Sequence, residues 1–285
     1  MSLSMGRGES LGLVGPNGAG KTTTVRVSIG ILRRDSGTVK LFDEDPWLSP
    51  WVRKRIGVVH DKPAIPGGMK CIDWLYRVCD IYGIDRSEAK RALELVELWD
   101  ARHRRIKGLS AGMKQRLALA QALVHNPELL LLDEPFTNLD PPSRARFSEL
   151  LARIRDERGV AIFITSHTLS DVLNLSSRIA IIHRGRVIFE GSPSDVEREL
   201  RVSVIRIRCS SSRALAEALA GAEGVVRARV VDEQTLILEV EPSCKGRAIK
   251  AVVDASESRG IEIFDIETRA PGIEEFLKRL GGERG

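Results

Sequence analysis

The chain has 285 residues, 42% of them hydrophobic, which suffices for one large domain and a smaller one with its own core and excludes a mainly disordered chain. Its 44 Lys and Arg against 39 Asp and Glu leave a net charge of +5, a mixed, well-solvated surface without the basic, aromatic-interleaved stripe of a nucleic-acid binder. Cys71, Cys79, Cys209 and Cys244 form no C-x-x-C pair and no zinc spacing, and apolar runs such as Leu129 to Leu132 fall far short of a membrane span, so a soluble chain in a reducing cytosol is expected.

In chain order, the apolar run Ser10 to Val14 predicts a strand, followed by a glycine-rich loop and a helix from Lys21 to about Leu32. The loop, "GPNGAGKTT", matches the phosphate-loop pattern G-x-x-x-x-G-K-[ST] in the strand–loop–helix setting that pattern requires. Gly15, Gly18 and Gly20 let the backbone around Pro16, Asn17 and Ala19 curl into an anion nest. Lys21 reaches the outer phosphates, Thr22 offers a hydroxyl to Mg²⁺, and Thr23 closes the ATP-binding stretch that begins at Gly15. "RIGVVHDKP" predicts a further strand. From Cys71 to Lys107 the apolar period becomes helical, which reads as a helical insert.

The stretch "KGLSAGMKQR", residues 107–116, looks like a second anion-reading helix start, with Ser110 offering a hydroxyl and Gly112 close backbone approach; taken alone it reads more readily as an ordinary N-cap with Ser110 as the capping residue. "ELLLLDEP" is a strand buried on both faces. It delivers Asp133 to the carboxyl edge as a Mg²⁺ ligand beside Thr22, and Glu134 as a base for water attacking a γ-phosphate. "GVAIFITSH" repeats the theme and ends on His167. "RIAIIHRGRVIFEG" predicts two strands joined at an Arg184–Gly185 turn. "EGSPSD", residues 190–195, marks a boundary between a nucleotide-binding domain, 1–195, and an accessory domain, 196–285. Beyond it come "VSVIRIR", a helix from Arg213, "VVRARVV", "TLILEV", a helix from about Gly246 to Arg259, "IEIFDIET" and a last helix near "GIEEFLKRL". That β-α-β-β-α-β order is the order of a small ferredoxin-like module.

These motifs, in this order over residues 9 to about 195, resemble the ATP-binding cassette (ABC) ATPases. "LSAGMKQR" is similar to their LSGGQ signature, with Ala111 and Met113 substituted; "TNLD", ending in Asp140, is similar to their D-loop; and His167 in "TSH" resembles their switch histidine. The resemblance implies an α/β P-loop fold with a mostly parallel core sheet, a helical subdomain over about 71–107 and the ferredoxin-like extension. It implies ATP and Mg²⁺ as cofactors and a second cassette, most simply an identical copy, bound head-to-tail. Ser110, Ala111, Gly112 and Asp140 would then contact the partner's nucleotide, and Glu134 and His167 would act in catalysis. Asp61 stands where relatives have a glutamine and is expected to share in Mg²⁺ binding and catalysis.

Relatives carry one or two strands, with an adenine-stacking aromatic, before the strand that enters the phosphate loop. This chain starts about nine residues before it, so those strands and that ring are expected to be missing. The tail "APGIEEFLKRLGG" is similar to the "PSLEDVFLxLTG" ending of ATPase subunits of drug, antibiotic and ion exporters. This implies a separately encoded integral membrane permease, gripped by the 71–107 segment and the Asp61 joint, with the chain on the inner face of the cell membrane and no nucleic acid partner. Two alternatives stay open. One is an ABC ATPase acting on nucleic acid or ribosomes, although those usually carry two cassettes or long coiled coils; the other is a weakly hydrolysing regulatory cassette, suggested by Asp61 and the missing aromatic but opposed by Glu134 and His167.

Overall fold

Six strands, β1 (Ser10–Val14), β2 (Ile56–Val59), β3 (Leu129–Asp133), β4 (Ala161–Ser166), β5 (Arg178–His183) and β6 (Arg186–Gly191), form one sheet in the order β2-β3-β4-β1-β5-β6. All neighbouring pairs are parallel except β5 and β6, which the Arg184–Gly185 turn joins with both residues at positive φ. β1, β3 and β4 are buried at every position, as parallel strands covered on both faces must be. In their register Val14 lies opposite Ser166 and Asp133 opposite Thr165, so three strands end side by side at the carboxyl edge. That edge is where open parallel sheets place their sites. The computed structural model describes residues 1–200 and 203–269.

The helices of this part are α1 (Lys21–Ser28), α2 (Cys71–Tyr82), α3 (Ser87–Leu95), α4 (Ala111–Leu123), α5 (Pro141–Arg158) and α6 (Ser170–Leu173). α1 is shorter than the expected span to Leu32. Gly30 takes φ +66, and the amides of Ile31 and Leu32 fold back onto the Arg26 carbonyl. A side chain at Gly30 would overlap the Pro46 carbonyl, so the glycine that stops the helix in the left-handed conformation also admits the Pro46 backbone. The helical insert consists of α2 and α3, which pack on each other and on α4. α4 buries Leu117, Leu119, Ala120 and Leu123 and lies so close to β2 that a Cβ at Gly57 would overlap the Ala122 carbonyl.

The chain divides into two compact units, Met1–Pro193 and Ser194–Gly285. α7 (Pro193–Leu200) begins at that division. The second unit contains β7 (Ser203–Cys209), α8 (Ser212–Ala218), β8 (Val225–Asp232), β9 (Thr235–Val240), α9 (Lys245–Arg259) and β10 (Ile263–Arg269), with an antiparallel sheet ordered β10-β7-β9-β8. Alternating positions Ile205, Ile207, Leu236, Leu238 and Val240 meet Leu215, Ala248 and Val252 of the helices in its core. β10 starts at Ile263, two residues later than the apolar pattern suggests, because Ile261 instead closes the turn after α9 by bonding to the Ser256 carbonyl. The expected last helix near "GIEEFLKRL" and the exporter-like tail lie outside the described residues. Among the described residues no helix is long and apolar enough to cross a membrane.

Candidate active site

The loop between β1 and α1 is built on glycine geometry. Gly15 packs so closely on Ile182 that a Cβ would overlap that residue's carbonyl oxygen, while Gly18 and Gly20 take φ +79 and +108, which side chains rarely adopt. Gly20 caps α1 with no side-chain hydrogen bond, so the first N–H groups of the helix face the loop. The Gly15 amide donates to the Ser166 carbonyl, and the Gly185 amide to the Ala19 carbonyl, fastening the loop to β4 and to the β5–β6 turn. Lys21 is 5% exposed; its Nζ donates to the Gly15 carbonyl at 2.7 Å and the Pro16 carbonyl at 3.1 Å and pairs with Glu134 Oε1 at 3.0 Å. A buried ammonium needs such saturation.

Across the strand ends, Asp133 accepts from Thr165 Oγ1 at 2.7 Å and from Thr22 Oγ1 at 3.2 Å on the same oxygen. Glu134 takes φ +49, and its amide donates to Thr165 Oγ1. This turn points its carboxylate back over the loop, where Oε1 meets Lys21 and Oε2 lies 2.7 Å from His167 Nδ1 and accepts from the His167 amide. A left-handed conformation is uncommon at a non-glycine residue, and here it is what turns the carboxylate back over the loop. The result is a cleft of about 380 Å³ lined by Asn17, Gly18, Gly20, Lys21, Thr22, Thr23, Asp61, Glu134, Thr137 and His167.

The structure therefore brings Asp61, Lys21, Thr22, Asp133, Glu134 and His167 to one place, with Gly15, Pro16 and Ala19 as the scaffold behind the lining residues. Ser110, Ala111, Gly112 and Asp140 do not line that cleft. Ser110 caps α4, its Oγ accepting from the Met113 amide, and Asp140 caps α5 without a side-chain bond. Gly112 lets these two helix starts touch, since a Cβ there would sit 3.0 Å from Ser143 Oγ. Thr165 and Thr137 escape the sequence reading. Thr165 stands in "GVAIFITSH", where a polar residue at the end of an otherwise apolar strand is the local signal; its partner Asp133 follows only from strand register.

The model of the ABC transporter family matches residues 1–137. The chain is 34% identical over 290 residues to the daunorubicin/doxorubicin resistance ATP-binding protein of Streptomyces peucetius, covering 99% of this chain and 87% of that protein, so the likeness runs through both units. It is 37% identical to the Nod factor export ATP-binding protein I of Burkholderia orbicola over 77% of this chain and 74% of that one. Among solved structures it resembles cbiO1 from Clostridium perfringens, part of the ABC transporter complex cbiONQ, with a TM-score of 0.64 and 26% identity over 70% of this chain and 83% of that chain.

Proposed function

The chain belongs to the ABC transporter family of ATP-hydrolysing transporter subunits, and from that premise we propose that it powers export through a separately encoded membrane permease, working as one of two identical cassettes. Relatives named for drug resistance and Nod factor export support the direction of transport, and the cbiO1 likeness, to a part of a larger transporter complex, supports a separate permease. The single observation that carries the catalytic part is the Glu134 carboxylate, bridged between Lys21 and His167 above the Thr22–Asp133 pair.

The residues fit ATP and Mg²⁺. The loop's inward amides and Lys21 suit a triphosphate, and the hydroxyl of Thr22 with the carboxylates of Asp133 and Asp61 are the hard oxygen donors that Mg²⁺ takes. When bound, the metal supplies neutralisation of charge on the β- and γ-phosphate oxygens. The chain's own groups do the rest. Lys21 shifts its charge from Glu134 to the γ-phosphate, which frees Oε1 to accept a proton from the attacking water. His167 holds Oε2 and fixes the carboxylate's direction. The new P–O bond forms to that water as the bond to the departing ADP breaks, and Glu134 leaves the step protonated.

The exposed Ser110 and Asp140, each at a helix start outside this cleft, fit a head-to-tail dimer in which Ser110 and Gly112 read the partner's γ-phosphate and Asp140 contacts the partner's site. ATP then acts as a ligand of the closed state, and hydrolysis releases it. The test is a Glu134→Gln variant in saturating ATP and magnesium. Retained nucleotide binding, lost phosphate release and an ATP-dependent dimer in light scattering are expected. A variant that still hydrolyses ATP would overturn the catalytic assignment; one that binds ATP but stays monomeric would overturn the dimer.

A further inference from the structure

The start of α5, which follows Asp140, is joined to the turn that carries His167 by a polar chain that runs from a half-exposed arginine to a buried carboxylate. Arg144, whose amide closes the first turn of α5 on the Asp140 carbonyl, extends its guanidinium to Asp171 at 3.0 Å. Asp171, on α6, is 4% exposed at its side chain, and its second oxygen accepts from Ser166 Oγ at 2.9 Å. Ser166 Oγ in turn accepts from the Thr168 amide, so the residues on both sides of His167 are tied to one carboxylate. α6 cannot easily yield, because its Val172 fills the space that Gly12 of β1 leaves open. Burial pushes the Asp171 carboxyl up, opposed by the Ser166 hydrogen bond and the Arg144 charge.

We propose that Arg144 and Asp171 are a positioning pair for hydrolysis, holding the His167 turn in register with the start of α5. The pair touches no reacting atom. A carboxylate this buried requires a cation, and stranding it without one forces it to take up a proton or to move, either of which displaces the turn that aims Glu134. The arrangement also gives the Asp140 corner, where a second cassette would press, a rigid connection to the catalytic turn. The inference rests on the proposed role of His167.

The experiment is steady-state hydrolysis by the full chain, with rates referred to the folded fraction taken from each variant's unfolding curve. Arg144→Met should lower kcat by at least tenfold, within the ~100-fold that a 1 Å misplacement can cost, and leave KM for ATP within about twofold. Arg144→Lys should recover part of the loss. The double variant Arg144→Met/Asp171→Asn should be faster than Arg144→Met alone, because it removes the stranded charge. A double variant no faster than the single one, losses confined to KM, or no loss at all overturns the pair. His167→Ala separates the two levels: if it leaves turnover intact the reading of the site fails, whereas if it abolishes turnover and Arg144→Met does not lower it, only this inference fails.

Discussion

The helices α1 and α4 both begin at a small-residue turn with free N–H groups, yet they are finished in different ways. The start of α1 has no side-chain cap, and Lys21 and Thr22 in its first turn are met by Glu134 and Asp133 from the end of β3 and the turn after it. The start of α4 is capped by its own Ser110, with Ser110 and Ala111 exposed. The first is complete within one chain; the second is satisfied as a piece of fold and offers its hydroxyl and amides outward. A helix start that needs no ligand to be stable, yet carries a hydroxyl at an exposed tip, suits a ligand held by another molecule.

Substitutions at the two helices should separate accordingly. The largest effect is expected at Lys21→Ala, which removes the cation from the loop and should reduce turnover by more than about 100-fold and weaken nucleotide binding, read by phosphate release and nucleotide titration. Gly15→Ala comes next: the added methyl must push against the Ile182 backbone, so a loss of about 1–3 kcal/mol in denaturant unfolding should accompany weaker ATP binding. Ser110→Ala should cost about 1 kcal/mol through the lost cap and leave ATP binding to the single chain unchanged. In the Glu134→Gln background it should also abolish ATP-dependent association. If Ser110→Ala weakens binding by the single chain as Lys21→Ala does, the contrast between the two helices is gone.

The smallest effect concerns how α4 is held. Glu97, at φ +56 after α3, pairs with Arg146 and Arg153 of α5 and Arg116 of α4. The Arg146 hydrogen bonds, helped by Arg153, hold its carboxyl below the ordinary range. A depressed folded-state pKa contributes stability that is present above the unfolded value and lost as pH falls through the folded one. The stability difference between the wild type and Glu97→Gln should therefore be seen near neutral pH and shrink in acid below the usual glutamate range, as urea unfolding across pH would report. The cluster is partly exposed, so high salt should shrink the difference too.

The legible parts of the site are those in which one short segment supplies both geometry and chemistry. The phosphate loop could be read because its glycines, lysine and threonine fall within one short segment, and Asp133, Glu134 and His167 because each stands at or just past the end of an apolar strand. Thr165 could not be assigned a partner, since its bond to Asp133 depends on the register between β3 and β4. The Arg144–Asp171 pair was invisible for the same reason: its members lie 27 residues apart and meet only because α5 and α6 flank the same strand end.

By itself the sequence determined the strand ends, the phosphate loop and the kind of chemistry, since these follow from local periodicity and from residue types that only phosphate and metal binding bring together. Tertiary structure alone decided that Gly30, at the end of α1, meets the Pro46 backbone, and that Glu134 turns back through a left-handed residue to stand between Lys21 and His167. The physical reason is common to both. Whether a backbone may bend at a given residue depends on what lies against it, and that neighbour comes from elsewhere in the chain.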